Sequence, residues 1–344
     1  MKRYDFLLGL NFLAIFLIII DHFVFKKQLY THQTFPYTFF RDGMNGIFLL
    51  FVTTGFWVTK EVFYLKDNKA FNPFKYSLVR FLKRFPIFAA YISYVWFSGL
   101  FDNVTKESVL SAYTTTFNYL GGPHSDVLMH FWAFSAKENV VFLLFIPIFA
   151  FCNKKFSLLL MLLLGILSIY IRADWFYSGD VAKFDWWKYI ETHILLYCFT
   201  IPAIVALLED NMFIKNLFLK FKLVWFAFIL LIIIGPYLES KFVIPYAWVY
   251  KSIVATIGFS LICGHCMYKP DGLLSRFLSN RIFVIGGSMY VSVYLWQQPY
   301  TFYFFDVSSP LSIIPQYVGI GLAMGIGAYL ILELPIRKLI KKFS

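Results

Sequence analysis

"LAIFLIIIDHF", residues 13–23, decides the fold. An unbroken apolar run leads straight into Asp21 and His22. The run lacks the small-residue cleavage site of a signal peptide, and many similar runs follow it, so it reads as a retained helix. Ionisable groups in such a helix are costly in hydrocarbon and normally face the bundle interior or a water-filled cavity. Composition points the same way. The chain has 344 residues, 60% of them hydrophobic and 15% charged, with a mean hydropathy of +0.67. A soluble chain keeps about a quarter of its residues charged. Too few polar residues remain here to cover a water-facing surface. In lipid the backbone must be helical or a closed barrel, and these runs are too long and continuous for barrel strands.

About 20 apolar residues make one crossing, and that yardstick predicts ten spans, near 6–24, 44–62, 85–101, 138–152, 156–171, 189–208, 222–238, 248–267, 283–300 and 311–332. With the N-terminus in the cytoplasm, 21 of the 31 Lys and Arg fall on the cytoplasmic side, as the positive-inside rule requires. The expectation is an all-α polytopic bundle, one domain over residues 1–344, with both termini cytoplasmic. The net charge of +12 is then a topology signal, and no nucleic-acid partner is expected. The outer loops are aromatic, as in "DWFYSGDVAKFDWWK" at 174–188. Such residues anchor interfaces, and they also stack on the apolar C–H faces of sugars. No internal repeat or separate soluble domain is evident.

Three stretches could carry chemistry. In the first helix, Asn11 and His22 lie eleven residues apart on one face, separated by about 16 Å of helical rise; Asp21 points roughly a quarter-turn aside. In "GMNGIFLLFVTTGFW", residues 43–57, Gly43, Gly46 and Gly55 permit close helix packing, and Thr53 and Thr54 can bond across helices. In "SLVRFLKRFPIF", residues 77–88, Arg80 and Arg84 share a face, Lys83 adds a third charge, and Pro86 is expected to start the next span. These charges serve topology in one reading and bind a phosphorylated donor in another. "CGHC" at 263–266 closes a span rather than opening a helix after a strand, so neither redox nor metal chemistry is expected of it. "YIETHIL" lacks metal-ligand spacing, and no metal site is expected. The four cysteines lie in or beside spans and imply no disulfide framework.

Taken in order, these stretches resemble acyltransferase family 3, bacterial membrane proteins that O-acetylate surface polysaccharides and related glycans. "GLNFLAIFLIIIDH" resembles the family's first helix and puts its histidine at His22. "GMNGIFLLFVTTGF" is similar to G-x-x-G…F-F-V-L-S-G-F. Arg80, Arg84 and Pro86 resemble R-x-x-x-R followed by proline. "HFWAFSAKENVVF" resembles a tryptophan-led stretch with a nearby acid, "SVYLWQQP" a late S-x-Y-L-W-H-Q-P, and "ELPIR" a closing E-x-P-x-R. The chain departs from the pattern at the first-helix arginine, here Asn11, and at the serine, here Thr54. The acid is shifted, with Lys137 followed by Glu138, and the late histidine is Gln297. The resemblance implies an O-acyltransferase of the inner (plasma) membrane that moves an acetyl group from acetyl-CoA to a glycan hydroxyl. His22 would act as base and Asp21 as its orienting neighbour, the oxyanion would take a donor from among Asn11, Thr53, Thr54 and Gln297, and Arg80, Lys83 and Arg84 would meet the acyl donor. Implied partners are the lipid bilayer, the glycan acceptor, and proteins of polysaccharide biosynthesis or export. The competing expectation is a glycan or lipid transporter, or an export-complex subunit, that does no chemistry.

Overall fold

The computed structural model describes residues 4–31, 43–119, 125–178, 186–220, 223–234, 244–300 and 314–341. Among these residues the fold is all helical, with no strand. The main elements in chain order are α1 (Asp5–Thr31), α2 (Gly43–Asp67), α3 (Pro73–Phe97), α4 (Lys106–Tyr113), α5 (Phe131–Phe151), α6 (Lys154–Ser178), α7 (Tyr197–Leu207), α8 (Met212–Lys220), α9 (Leu223–Ile229), α10 (Ile244–Tyr268), α11 (Leu273–Leu278), α12 (Arg281–Ser288) and α13 (Tyr290–Trp296). They end with α14 (Ile314–Ala328), which runs through a π turn into α15 (Leu334–Lys341).

The packing is inside out relative to a soluble protein. On α6, Leu159, Leu162, Leu163, Ile166, Leu167 and Tyr170 form an exposed stripe at helical spacing, while Ser157, Ser168 and Arg172 on the opposite face are buried. Water would penalise that arrangement on both faces; hydrocarbon favours it on both. The buried Arg172 guanidinium lies over the ring of Tyr189, 4.1 Å from its centre.

Among the described residues six helices are long and apolar enough to cross a membrane, and a seventh span arises if α7 and α8, bent by 105°, count together. The remaining expected spans meet specific features. The stretch 85–101 falls in α3, whose Lys75, Arg80, Lys83 and Arg84 charge its first half. Pro86 lies inside α3 rather than at its start; the helix instead begins at Asn72, whose side chain accepts from the Lys75 amide, with Pro73 in the first turn. The stretch 283–300 is broken between α12 and α13, and part of 222–238 lies outside the described residues. The stretch expected at 138–152 starts earlier, at Phe131.

Helix α2 is the central element, most of it buried, with α1, α7 and α10 packed around it. Its glycines work as expected. A Cβ on Gly43 would sit 2.6 Å from the Asp21 carboxylate, and one on Gly46 2.5 Å from the Ala14 carbonyl. One on Gly55 would collide with the Phe199 carbonyl of α7.

Several segments expected on the cytoplasmic side meet at one end of the bundle. Tyr4 donates to Glu209, which also pairs with Lys60. Lys66 donates to the carbonyls of Phe149 and Cys152, capping α5. Lys154 pairs with Asp210. Not all of the basic residues at this end are therefore spare: some cap helices and bind acids.

Candidate active site

At that same end a cavity of about 740 Å³ opens between α1, α2, α3, α13 and the α14–α15 junction. Its wall carries six cations, Lys75, Arg80, Lys83, Arg84, Arg337 and Lys338, against two carboxylates, Glu61 and Glu333. Both acids are engaged. Glu61 accepts from Trp57 Nε1 at 3.1 Å and from Tyr76 Oη at 2.7 Å. Burial, then the Glu61 charge, push the Tyr76 phenol far up, so it stays a donor. Glu333 accepts from Ser292 at 2.5 Å and pairs with Arg337 one turn on. It ends a π-helical turn, Tyr329–Glu333, a distortion found frequently at functional sites. Burial draws the Lys83 ammonium below its ordinary value, with Glu61 opposing.

Arg80 and Arg84 stand where the sequence placed them, on the face of α3 that lines this cavity. They share a partner that the sequence did not pair with them. Arg80 Nε donates to Glu138 of α5 at 3.1 Å, and Arg84 pairs with the same carboxylate. Lys137 lies 3.9 Å from it and donates to Tyr290 Oη at 3.3 Å. Three buried or half-buried cations thus meet one buried acid, and the Arg80 Nη2 atom is buried without a hydrogen-bond partner. Excess positive charge with an unsatisfied donor at a cavity wall is a site for an anion. No adjacency in sequence reveals this group, because Glu138 lies 58 residues from Arg80.

The apolar end of the cavity holds Asn11, Thr53 and Thr54 with Leu7, Leu8 and Val291. Thr53 donates to Asn11 Oδ1 at 2.6 Å, joining α1 to α2. Thr54 instead bonds within its own helix, to the Leu50 carbonyl. With its oxygen engaged, the Asn11 amide keeps its N–H groups for another acceptor.

His22 is not among the residues lining this cavity. It lies half-buried about three turns along α1 from Asn11, with buried Ala14, Ile15 and Ile18 between them. There it meets groups from two other parts of the chain. His22 Nδ1 is 3.4 Å from Gln297 Oε1, and Gln297 Nε2 is 2.9 Å from His130 Nε2. The His22 and His130 rings are 5.1 Å apart, and His130 stacks on Tyr294 at 4.4 Å. His130 heads the very stretch quoted for its tryptophan, yet the sequence reading did not select it. Asp21 packs against Gly43, and Gln297, not Asp21, is the partner placed at His22 Nδ1. Cys263 and Cys266 are buried free thiols within α10. Among the described residues no cluster of His, Cys, Asp or Glu is arranged to hold a metal.

Comparison with known proteins matches residues 5–333 to a family model described as an acyltransferase domain, acyltransferase family 3. The match covers nearly the whole chain, and the chain belongs to that family. No curated protein and no solved structure matches it.

Proposed function

We propose that this member of the acyltransferase family transfers an acetyl group from acetyl-CoA to a hydroxyl of a cell-surface or exported glycan, across the plasma (inner) membrane. The observation that carries the reading is the cavity: six cations against two carboxylates at one end and an amide-bearing floor at the other. A nucleotide thioester divides its chemistry in the same way, with phosphates at one end and a neutral acyl group on a long arm at the other. Arg80, with its unsatisfied Nη2, and Lys83, Arg84, Arg337 and Lys338 would hold the phosphates. Asn11 would hold a carbonyl of the arm.

In this reading both termini and the cavity mouth face the cytoplasm, where acyl-CoA is made, and the chain crosses the membrane ten times. His22 sits at the acceptor end. A sugar hydroxyl is a weak nucleophile at neutral pH. As its oxygen bonds to the acyl carbon, a neutral imidazole takes the hydroxyl proton, a contribution of about 10²–10⁴-fold. The C–S bond then breaks and the proton passes to the departing thiolate. The roughly 16 Å between Asn11 and His22 is covered by the flexible arm of the donor, and proteins of polysaccharide biosynthesis or export would present the acceptor.

The test is mass spectrometry of the surface glycan from cells that carry the wild-type gene, lack it, or carry His22→Ala. A 42 Da increment present only with the wild type supports the proposal (the mass of an acetyl group replacing hydrogen is about 42 Da, the same acyl bookkeeping that transfer to a nucleophile requires). An increment retained in His22→Ala removes His22 from the chemistry.

A further inference from the structure

We infer that Gln297 is a positioning residue that sets the tautomer of His22, and that His130 and the Tyr294 carbonyl set the orientation of Gln297. The inference rests on the reading of His22 as the base and says which of its nitrogens does the work.

A glutamine amide has an accepting oxygen and a nitrogen with two hydrogens to donate. The groups that meet the amide of Gln297 include a carbonyl and two imidazoles. The Tyr294 carbonyl is 3.4 Å from Nε2, His130 Nε2 is 2.9 Å from the same nitrogen, and His22 Nδ1 is 3.4 Å from Oε1. The two imidazoles leave the orientation open, because either ring can donate or accept. The carbonyl does not, because it only accepts. The nitrogen end of the amide therefore faces Tyr294 and His130, and the oxygen end faces His22.

Two protonation states follow. His130 Nε2 accepts from the amide, so it carries a lone pair and the hydrogen of that ring sits on Nδ1. His22 Nδ1 donates to the amide oxygen, so it carries the hydrogen. A neutral imidazole has one N–H, and the basic nitrogen of His22 is Nε2. When Nε2 takes the proton from the acceptor hydroxyl, the imidazolium keeps its Nδ1–H on Gln297 Oε1, and the ring need not turn during the step.

The choice of an amide has a physical reason. With the rings 5.1 Å apart, a second positive charge beside a protonated His22 would oppose proton transfer. An amide orients the ring without adding charge. A carboxylate would orient it as well, but would make the imidazole hold its proton more tightly. Stacking on Tyr294 holds the His130 ring so that its Nε2 meets the amide.

The experiment is nitrogen NMR of the full-length protein in lipid nanodiscs with labelled histidine; with six histidines in the chain, the His22 signals are assigned by their loss in His22→Asn. The expected result is a hydrogen on His22 Nδ1 and a bare Nε2 at neutral pH. Gln297→Leu should give a mixture of tautomers, with kcat for acylation lowered about 10²-fold, the lower end of what a positioned base contributes, and KM for acetyl-CoA unchanged. Gln297→Glu should restore the single tautomer and part of the rate, with the acid limb of the pH–rate profile moved up by about one unit. A wild-type His22 that carries its hydrogen on Nε2, or a Gln297→Leu protein with unaltered tautomer and pH profile, overturns the inference. A wild type that shows the expected tautomer yet acylates nothing supports the inference about Gln297 and sinks the catalytic reading instead, since the NMR measurement needs no turnover.

Discussion

The two ends of the bundle solve different problems with the same kind of residue. At the cavity end, polar groups face open space, cations outnumber acids, and Arg80 has a donor atom left over. At the His22 end, polar groups face one another: hydrogen bonds link His22, Gln297, His130 and the Tyr294 carbonyl. Surplus polar capacity marks a place where something binds. Capacity spent on neighbours marks a place where one group is held still. In the proposed reading the difference separates binding a donor from orienting a base, with the two tasks on opposite sides of the buried Ala14, Ile15 and Ile18.

The largest effect expected is at the His22 end. His22→Ala should lower acylation by about 10²–10⁴-fold while leaving expression and membrane insertion intact, read as the acetyl content of the glycan. Next comes Glu138→Ala, which leaves Arg80, Arg84 and Lys137 buried without their shared acid. Breaking a buried pair from one side costs about 3–5 kcal/mol, and thermal unfolding in detergent should register it. If Glu138→Ala unfolds no more easily than the wild type, that carboxylate is not the centre of the cluster.

A gentler change separates binding from folding. Arg80→Lys with Arg84→Lys keeps the charge that Glu138 requires but removes both forks, so KM for acetyl-CoA should rise about ten-fold with little change in kcat. An unchanged KM would reduce the pair to a topology and packing element. Gly55→Ala drives a methyl into the Phe199 carbonyl between α2 and α7, with a stability loss of about 1–3 kcal/mol by the same thermal assay. The smallest effect belongs to Thr53→Val. It removes the hydrogen bond to Asn11, worth about 1 kcal/mol, and should be seen mainly in donor affinity if Asn11 touches the donor.

Much of this was legible before any coordinates. Helical runs follow from lipid as solvent, and the apolar stripe on α6 is the same fact seen in three dimensions. Gly43, Gly46 and Gly55 declared close packing because glycine spacing on a helix is a local property. The common face of Arg80 and Arg84 is local too, as is the alignment of Asn11 with His22. Pro86 misled for a related reason: proline usually marks a helix start, but a helix in a membrane bundle can tolerate it inside, and α3 continues through it.

What determined itself from sequence is therefore everything set by periodicity and by the solvent: an all-helical membrane protein, its family, and which residues share a helix face. Only the tertiary structure decided the partners. Glu138 reaches Arg80 and Arg84 across 58 and 54 residues, Gln297 reaches His22 across 275, and His130 enters from a third segment. A helix repeats every 3.6 residues and so announces its own faces, but nothing in one helix records which other face will be pressed against it. That choice is made by the packing of the whole bundle.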